Sequence, residues 1–145
     1  MREEPPPLFV HRHRVQFAET DMAGLMHFSN FFRLMESCEH AWFRSRGLSI
    51  HEADAGRGEI GWPRVHASAE YKAPLRFEDE VDIELRIAEK RAKTLRYAFT
   101  FRVPDGEAVI AKGEIVAACV TLDRGTGKLA SIEIPHATLE QLGIL

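Results

Sequence analysis

The sequence predicts an α+β fold in which a curved antiparallel sheet of about five strands wraps one long α-helix. Three observations carry this expectation. One segment, Phe31 to Trp42, repeats apolar residues at helical spacing. Other segments alternate apolar and polar residues with the period of a strand. Those strand segments follow one another without intervening helices, which excludes a doubly wound nucleotide fold. A sheet that must cover one long apolar helix curls around it.

Residues 1–8 read as an extended tail, because Pro5-Pro6-Pro7 starts no regular element. From Val10 to Phe17, His13, Val15 and Phe17 alternate with Arg12, Arg14 and Gln16, which predicts a strand. Glu19-Thr20-Asp21-Met22-Ala23-Gly24 follows as a loop. Ser29 or Asn30 is the expected helix cap, since either side chain accepts a bond from the free N–H groups of a first turn. Phe31, Leu34, Met35, Cys38, Ala41 and Trp42 then form an apolar stripe, with Arg33, Ser37, His40 and Arg44 opposite. Gly47 is a natural stop. About 17 residues at ~1.5 Å each make a rod of roughly 25 Å.

After a stretch containing Gly56, Gly58 and Gly61, strand patterns take over. Val65, Ala67, Ala69 and Tyr71 alternate with polar residues until Pro74, and Val81, Ile83, Leu85 and Ile87 alternate most cleanly. Leu95 to Val103 repeats the pattern after a tight Lys90–Lys93 connection, and Asp105-Gly106 signals a hairpin. Val109 to Leu122 is apolar on both phases in places, as a central strand is. Ser131–Ile134 reads as a last short strand, and Pro135 precedes a helical tail at Ala137–Leu142.

With 45% apolar and 28% charged residues the composition is that of a soluble globular protein, and 145 residues fit a single domain over residues 1–145. A net charge of -3 without a run of Lys or Arg argues against a nucleic-acid surface and against a membrane anchor. Cys38 and Cys119 lie too far apart for a C-x-x-C pair, so neither a disulfide framework nor structural zinc is expected. The N-terminus lacks a signal-peptide apolar run and no segment spans a bilayer, so the expected setting is the cytoplasm. His11 and His13 share a strand face but make a poor metal site without a carboxylate or thiolate nearby.

The chemistry concentrates at the helix start. Asp21, Gly24, His27 and Asn30 put a carboxylate, a permissive glycine, an imidazole and an amide into ten residues before a helix. A helix N-terminus offers free N–H groups and partial positive charge, which stabilise an oxyanion and keep a nearby carboxylate ionised. No metal or cofactor is needed. The same spacing also describes a plain turn in which Asp bonds its own backbone, so the motif alone leaves both readings open. Glu36 lies on the flank of the apolar stripe, either facing a pocket or pairing with His40 four residues on.

The run Asp21-Met22-Ala23-Gly24-Leu25-Met26-His27-Phe28-Ser29-Asn30-Phe31-Phe32, with Glu36 beyond it, resembles the 4-hydroxybenzoyl-CoA thioesterase family, a branch of the hotdog-fold acyl-CoA thioesterases. The likeness continues through Arg46-Gly47-Leu48 and Tyr71-Lys72-Ala73-Pro74-Leu75-Arg76-Phe77-Glu78-Asp79-Glu80, and covers most of Val10–Leu122. It implies hydrolysis of an acyl-CoA, or acyl-carrier-protein, thioester. Asp21 matches the catalytic aspartate, and Phe28 stands where the family presents a main-chain N–H to the thioester carbonyl. His27 and Asn30 match positions used by plant acyl-carrier-protein thioesterases, and Glu36 is a further catalytic candidate. The resemblance also implies a homodimer or homotetramer. Its acyl pocket would combine Met22, Gly24, Phe31 and Phe32 of one subunit with the Glu59–Val65 region, including Trp62, of the next. Two rivals are a hotdog enoyl-CoA hydratase and a non-catalytic acyl-CoA-binding protein. The first has a Gly-Asp pair and an Asn-Pro that are absent here, and the second usually carries a further domain.

Overall fold

The computed structural model describes residues 4–54 and 58–145, without the side chains of residues 52–54 and 58. Met1–Glu3 of the expected tail and Gly56 of the glycine stretch lie outside the described residues. Strands β1 (Phe9–Arg14), β4 (Arg64–Tyr71), β5 (Glu80–Lys90), β6 (Thr94–Arg102) and β7 (Val109–Ala118) form one antiparallel sheet in the order β1-β5-β6-β7-β4. Helix α1 (Ser29–Ser45) packs on β5 and also touches β1 and β4, the two edges of that sheet. A sheet that meets one helix with both edges must curl, as the pattern predicts.

The core lies between them. Phe31, Leu34, Met35, Cys38, Trp42 and Phe43 of α1 are buried against Val81, Ile83 and Leu85 of β5 and Leu95, Tyr97, Phe99 and Phe101 of β6. Burying each of these large side chains contributes about 1.5–3 kcal/mol. On β7, Gly113 faces Met35, and a Cβ there would collide with the Met35 sulfur. The missing side chain lets the helix sit close to the sheet.

Several boundaries differ from the sequence expectation. β1 ends at Arg14, and Phe17–Glu19 forms a 3-10 turn because Gln16 and Glu19 cap it reciprocally. The Val109–Leu122 run changes sheet at Cys119, whose N–H still follows the β6–β7 register to Lys93 O (2.8 Å) while its O accepts from Ile132 N–H (3.0 Å), and it resumes as β8 (Val120–Asp123). β8 joins β2 (Glu52–Asp54), β3 (Gly58–Gly61) and β9 (Lys128–Ser131) in a second sheet, β2-β3-β8-β9, which periodicity did not foretell. The last strand is Lys128–Ser131, so Ser131–Ile134 falls mostly beyond it. Helix α2 (His136–Leu142) follows.

The cap of α1 also differs. Ser29 and Asn30 are inside the helix, and Phe28 occupies the cap position with helical dihedrals and no side-chain cap bond. The imidazole of His27 substitutes, as its Nδ1 accepts the Ser29 N–H at 3.3 Å. Gly47 ends the helix at a φ of +74°, with Leu48 N–H closing on Phe43 O at 2.9 Å. Among the described residues no helix is long and apolar enough to cross a membrane.

Candidate active site

The loop before α1 is a tight reverse turn. Asp21 N–H donates to Leu25 O at 2.8 Å, Gly24 N–H donates to Asp21 O at 3.0 Å, and Gly24 takes a φ of +78°. A turn closed by a left-handed residue favours glycine, which has no Cβ to strain. Asp21 Oδ1 accepts the N–H groups of Ala23 (2.8 Å) and Leu25 (3.2 Å). Oδ2 has no hydrogen-bond partner among the described residues. One oxygen therefore shapes the turn and the other is left for chemistry.

Most first-turn donors of α1 are already occupied. Ser29 N–H goes to His27 Nδ1, Asn30 N–H to His27 O (3.0 Å) and Phe31 N–H to Phe28 O (3.2 Å). The Phe28 N–H has no partner among the described residues. It stands at the positive end of the helix dipole, where an anion is favoured. Because His27 Nδ1 accepts a main-chain N–H, the neutral ring carries its proton on Nε2. The ring also lies over Phe28, with centroids 4.5 Å apart.

Asp21, Phe28 and Phe31 line one cavity of about 400 Å³, together with Leu25, Tyr71 and Lys72. Tyr71 meets Phe31 edge-on at 5.0 Å, and its hydroxyl donates to Phe28 O at 3.4 Å. Burial pushes the Tyr71 hydroxyl above its ordinary pKa. On the other side of the turn, Asp21, Met22 and Gly24 border an open groove of about 670 Å³ with Phe17. Met22 is fully exposed there. The carboxylate thus stands between a cavity and an open groove.

The remaining candidates lie elsewhere. Glu36 and Trp62 line a separate cleft of about 450 Å³ with His40, His51 and Arg64. Glu36 is half-exposed and bonds Arg64 Nη2 at 3.0 Å, not His40. His40 lies nearest Glu39, at 3.9 Å. Phe32 is half-buried against the core and borders none of these cavities. Asn30 is buried, with Nδ2 donating to Glu19 O at 2.8 Å. Among the described residues no cluster of His, Cys, Asp and Glu could hold a metal ion.

Sequence reasoning missed two groups. Glu39 is 1% exposed and forms a bidentate ion pair with Arg64 of β4. Burial pulls the Arg64 pKa down, but Glu39 and then Glu36 more than restore it, leaving it above its ordinary value. The signal was present, since Glu39 follows Met35 by four positions on the apolar stripe, but its partner is 25 residues away. Tyr71 and Lys72, the polar groups sharing the cavity with Asp21, stand where β4 ends, just before Pro74.

Residues 15–142 match the model of a family described as the thioesterase-like superfamily. A protein of Aquifex aeolicus (strain VF5) is 33% identical over 135 residues, 92% of this chain and 97% of its own length. The 4-hydroxybenzoyl-CoA thioesterase of Pseudomonas sp. (strain CBS-3) is 25% identical over 130 residues, 88% of this chain and 92% of its own. A solved gentisyl-coenzyme A thioesterase superposes with a TM-score of 0.76 at 30% identity, covering 90% of this chain and 98% of that one. A helix wrapped by a five-stranded antiparallel sheet, an aspartate turn at the helix mouth and these matches lead to one assignment: the chain belongs to the thioesterase-like superfamily and has the hotdog fold.

Proposed function

We propose that this protein hydrolyses acyl-CoA thioesters, with Asp21 as base or nucleophile and the Phe28 N–H as the oxyanion donor. One observation supports the residue roles: Asp21, whose carboxylate keeps a free oxygen, and Phe28, whose N–H at the helix N-terminus is unpartnered among the described residues, line the same cavity. The thioester carbonyl accepts from Phe28, which polarises it and stabilises the negative charge that develops on its oxygen. Asp21 Oδ2 then either attacks the carbonyl carbon, giving a mixed anhydride that water opens, or removes a proton from an attacking water. Either way one water is consumed, the C–S bond breaks, the acyl group leaves as a carboxylate and the sulfur leaves as the CoA thiol with a proton from that water.

Within one protomer the Glu36–Trp62 cleft and the Asp21 cavity are separate. β4 is an edge strand with Val65 63% exposed, a surface that a second copy covers economically. Antiparallel self-pairing along the whole of β4 sets Arg64 opposite Tyr71. That register brings the cleft of one protomer to the Asp21 cavity of the other, so we propose a homodimer or dimer of dimers with shared sites. The whole of residues 1–145 acts as one unit, in a cytoplasmic setting consistent with two free, buried cysteines. Thiol release from 4-hydroxybenzoyl-, benzoyl-, acetyl-, hexanoyl- and palmitoyl-CoA tests the activity, and no release from any of them would overturn it. Sedimentation at micromolar concentration tests the assembly, and a clean 16.4 kDa species would contradict it.

A further inference from the structure

We propose that Glu19 is the positioning residue of this site, fixing the Asp21 turn and the Phe28 N–H relative to one another, with Asn30 acting through it. The inference rests on the thioesterase reading above. Four hydrogen bonds end on the oxygens of Glu19. Its side-chain Oε1 accepts from Gln16 N–H at 2.7 Å and lies 2.8 Å from His13 Nε2, which anchors the 3-10 turn to β1. Its main-chain carbonyl accepts from His27 N–H at 2.8 Å and from Asn30 Nδ2 at 2.8 Å, which uses both lone pairs. His27 immediately precedes Phe28, and Asn30 is two residues beyond it. The two bonds therefore hold the helix mouth on either side of the free N–H. Asp21 is two residues after Glu19, so the same residue also sets where the carboxylate turn begins.

The arrangement decides what Asn30 does. Its amide is buried, one Nδ2 hydrogen already points at a main-chain carbonyl, and the walls of the Asp21 cavity do not include it. Asn30 is thus a latch on the loop and touches no reacting atom. A displacement of about 1 Å between a base and an oxyanion donor can cost on the order of 10²-fold in rate, so a latch of this kind shows in turnover before it shows in binding.

The test compares Asn30→Ala, Glu19→Ala and Glu19→Gln on the best substrate of the acyl-CoA panel. Expected are a fall in kcat of about tenfold or more for the two alanine variants, with KM changed less than about threefold. Glu19→Gln keeps an acceptor oxygen and should recover most of the loss. In the slow Asp21→Asn background, the carbonyl stretch of the bound thioester should move toward its value in water when Asn30 is also replaced. A purely structural role would leave that stretch in place. Asn30→Asp, isosteric but without the N–H, repeats the test if Asn30→Ala does not fold. An active wild type whose folded Asn30 variants keep kcat within twofold, or leave the stretch unmoved, overturns the positioning role. A wild type that releases no thiol overturns the thioesterase reading instead.

Discussion

The two ends of α1 hold acidic groups by opposite means. At the N-terminal end, Asp21 is exposed, and its bonds all run to main-chain groups within four residues. At the C-terminal half, Glu39 is buried, and its ion-pair partner comes from an edge strand 25 residues away. The first carboxylate is shaped by local geometry and keeps an oxygen free. The second is bound on both oxygens and neutralised. A group that must react is kept wet and partly unsatisfied, whereas a group that must be buried is fully paired.

The contrast is tested most strongly at Asp21. Asp21→Asn keeps the shape and loses the basicity, so thioester hydrolysis should fall by on the order of 10²–10⁴-fold with the melting transition little changed. Near wild-type turnover would remove Asp21 from the mechanism. At the other end the expected loss is in stability. Arg64→Met strands the buried Glu39 carboxylate, and urea denaturation should register a cost of about 3 kcal/mol. Adding Glu39→Leu to that variant should restore most of it, since a packed apolar pair replaces an ion pair at little cost. A double variant as unstable as the single one would contradict this account.

Glu36 lies between the two regimes, half-exposed and on the same guanidinium as Glu39. Glu36→Gln should lower turnover about tenfold, or ~1.4 kcal/mol of transition-state stabilisation, if its cleft joins a partner's Asp21 cavity. Its stability effect should stay within about 1 kcal/mol, because one exposed ion pair contributes little. Unchanged turnover confines Glu36 to that surface pair.

An effect confined to alkaline pH is expected midway along the helix. Burial pushes the Cys38 thiol from 9.0 up to about 12, with the negative charge of Glu39 adding to it. The folded state thus holds the proton more tightly than the unfolded chain. This stabilisation is complete below about pH 9 and is lost as pH rises toward 12. Cys38→Val should flatten the alkaline decline measured by denaturation between pH 9 and 11, and an identical slope would show that the thiol plays no part.

Much of this is legible in the sequence. The helix was readable because one side of it repeats every three to four residues. The β5–β6 hairpin is readable because apolar and polar residues alternate along both strands, although Thr100 and Arg102 on the polar face of β6 are buried. The turn was readable because Asp-x-x-Gly names both the residue that bonds its own backbone and the residue that takes positive φ. What failed was of another kind. Cys119 divides an apolar run that looks continuous, since its N–H serves the β6–β7 register and its O the β8–β9 register. Ser29 and Asn30 are good caps by type, yet His27 already supplies the acceptor.

By itself the sequence determined the sheet-and-helix class, the position of α1 and the Asp21 turn at its mouth. Each depends on side chains within a few residues of one another, where periodicity and turn chemistry act. Only the tertiary structure decided that Glu39 pairs with Arg64, that Asn30 latches onto Glu19, and that Tyr71 shares a cavity with Asp21. Those contacts join residues 25, 11 and 50 positions apart, and which of many available partners a buried polar group meets is settled by packing, not by spacing.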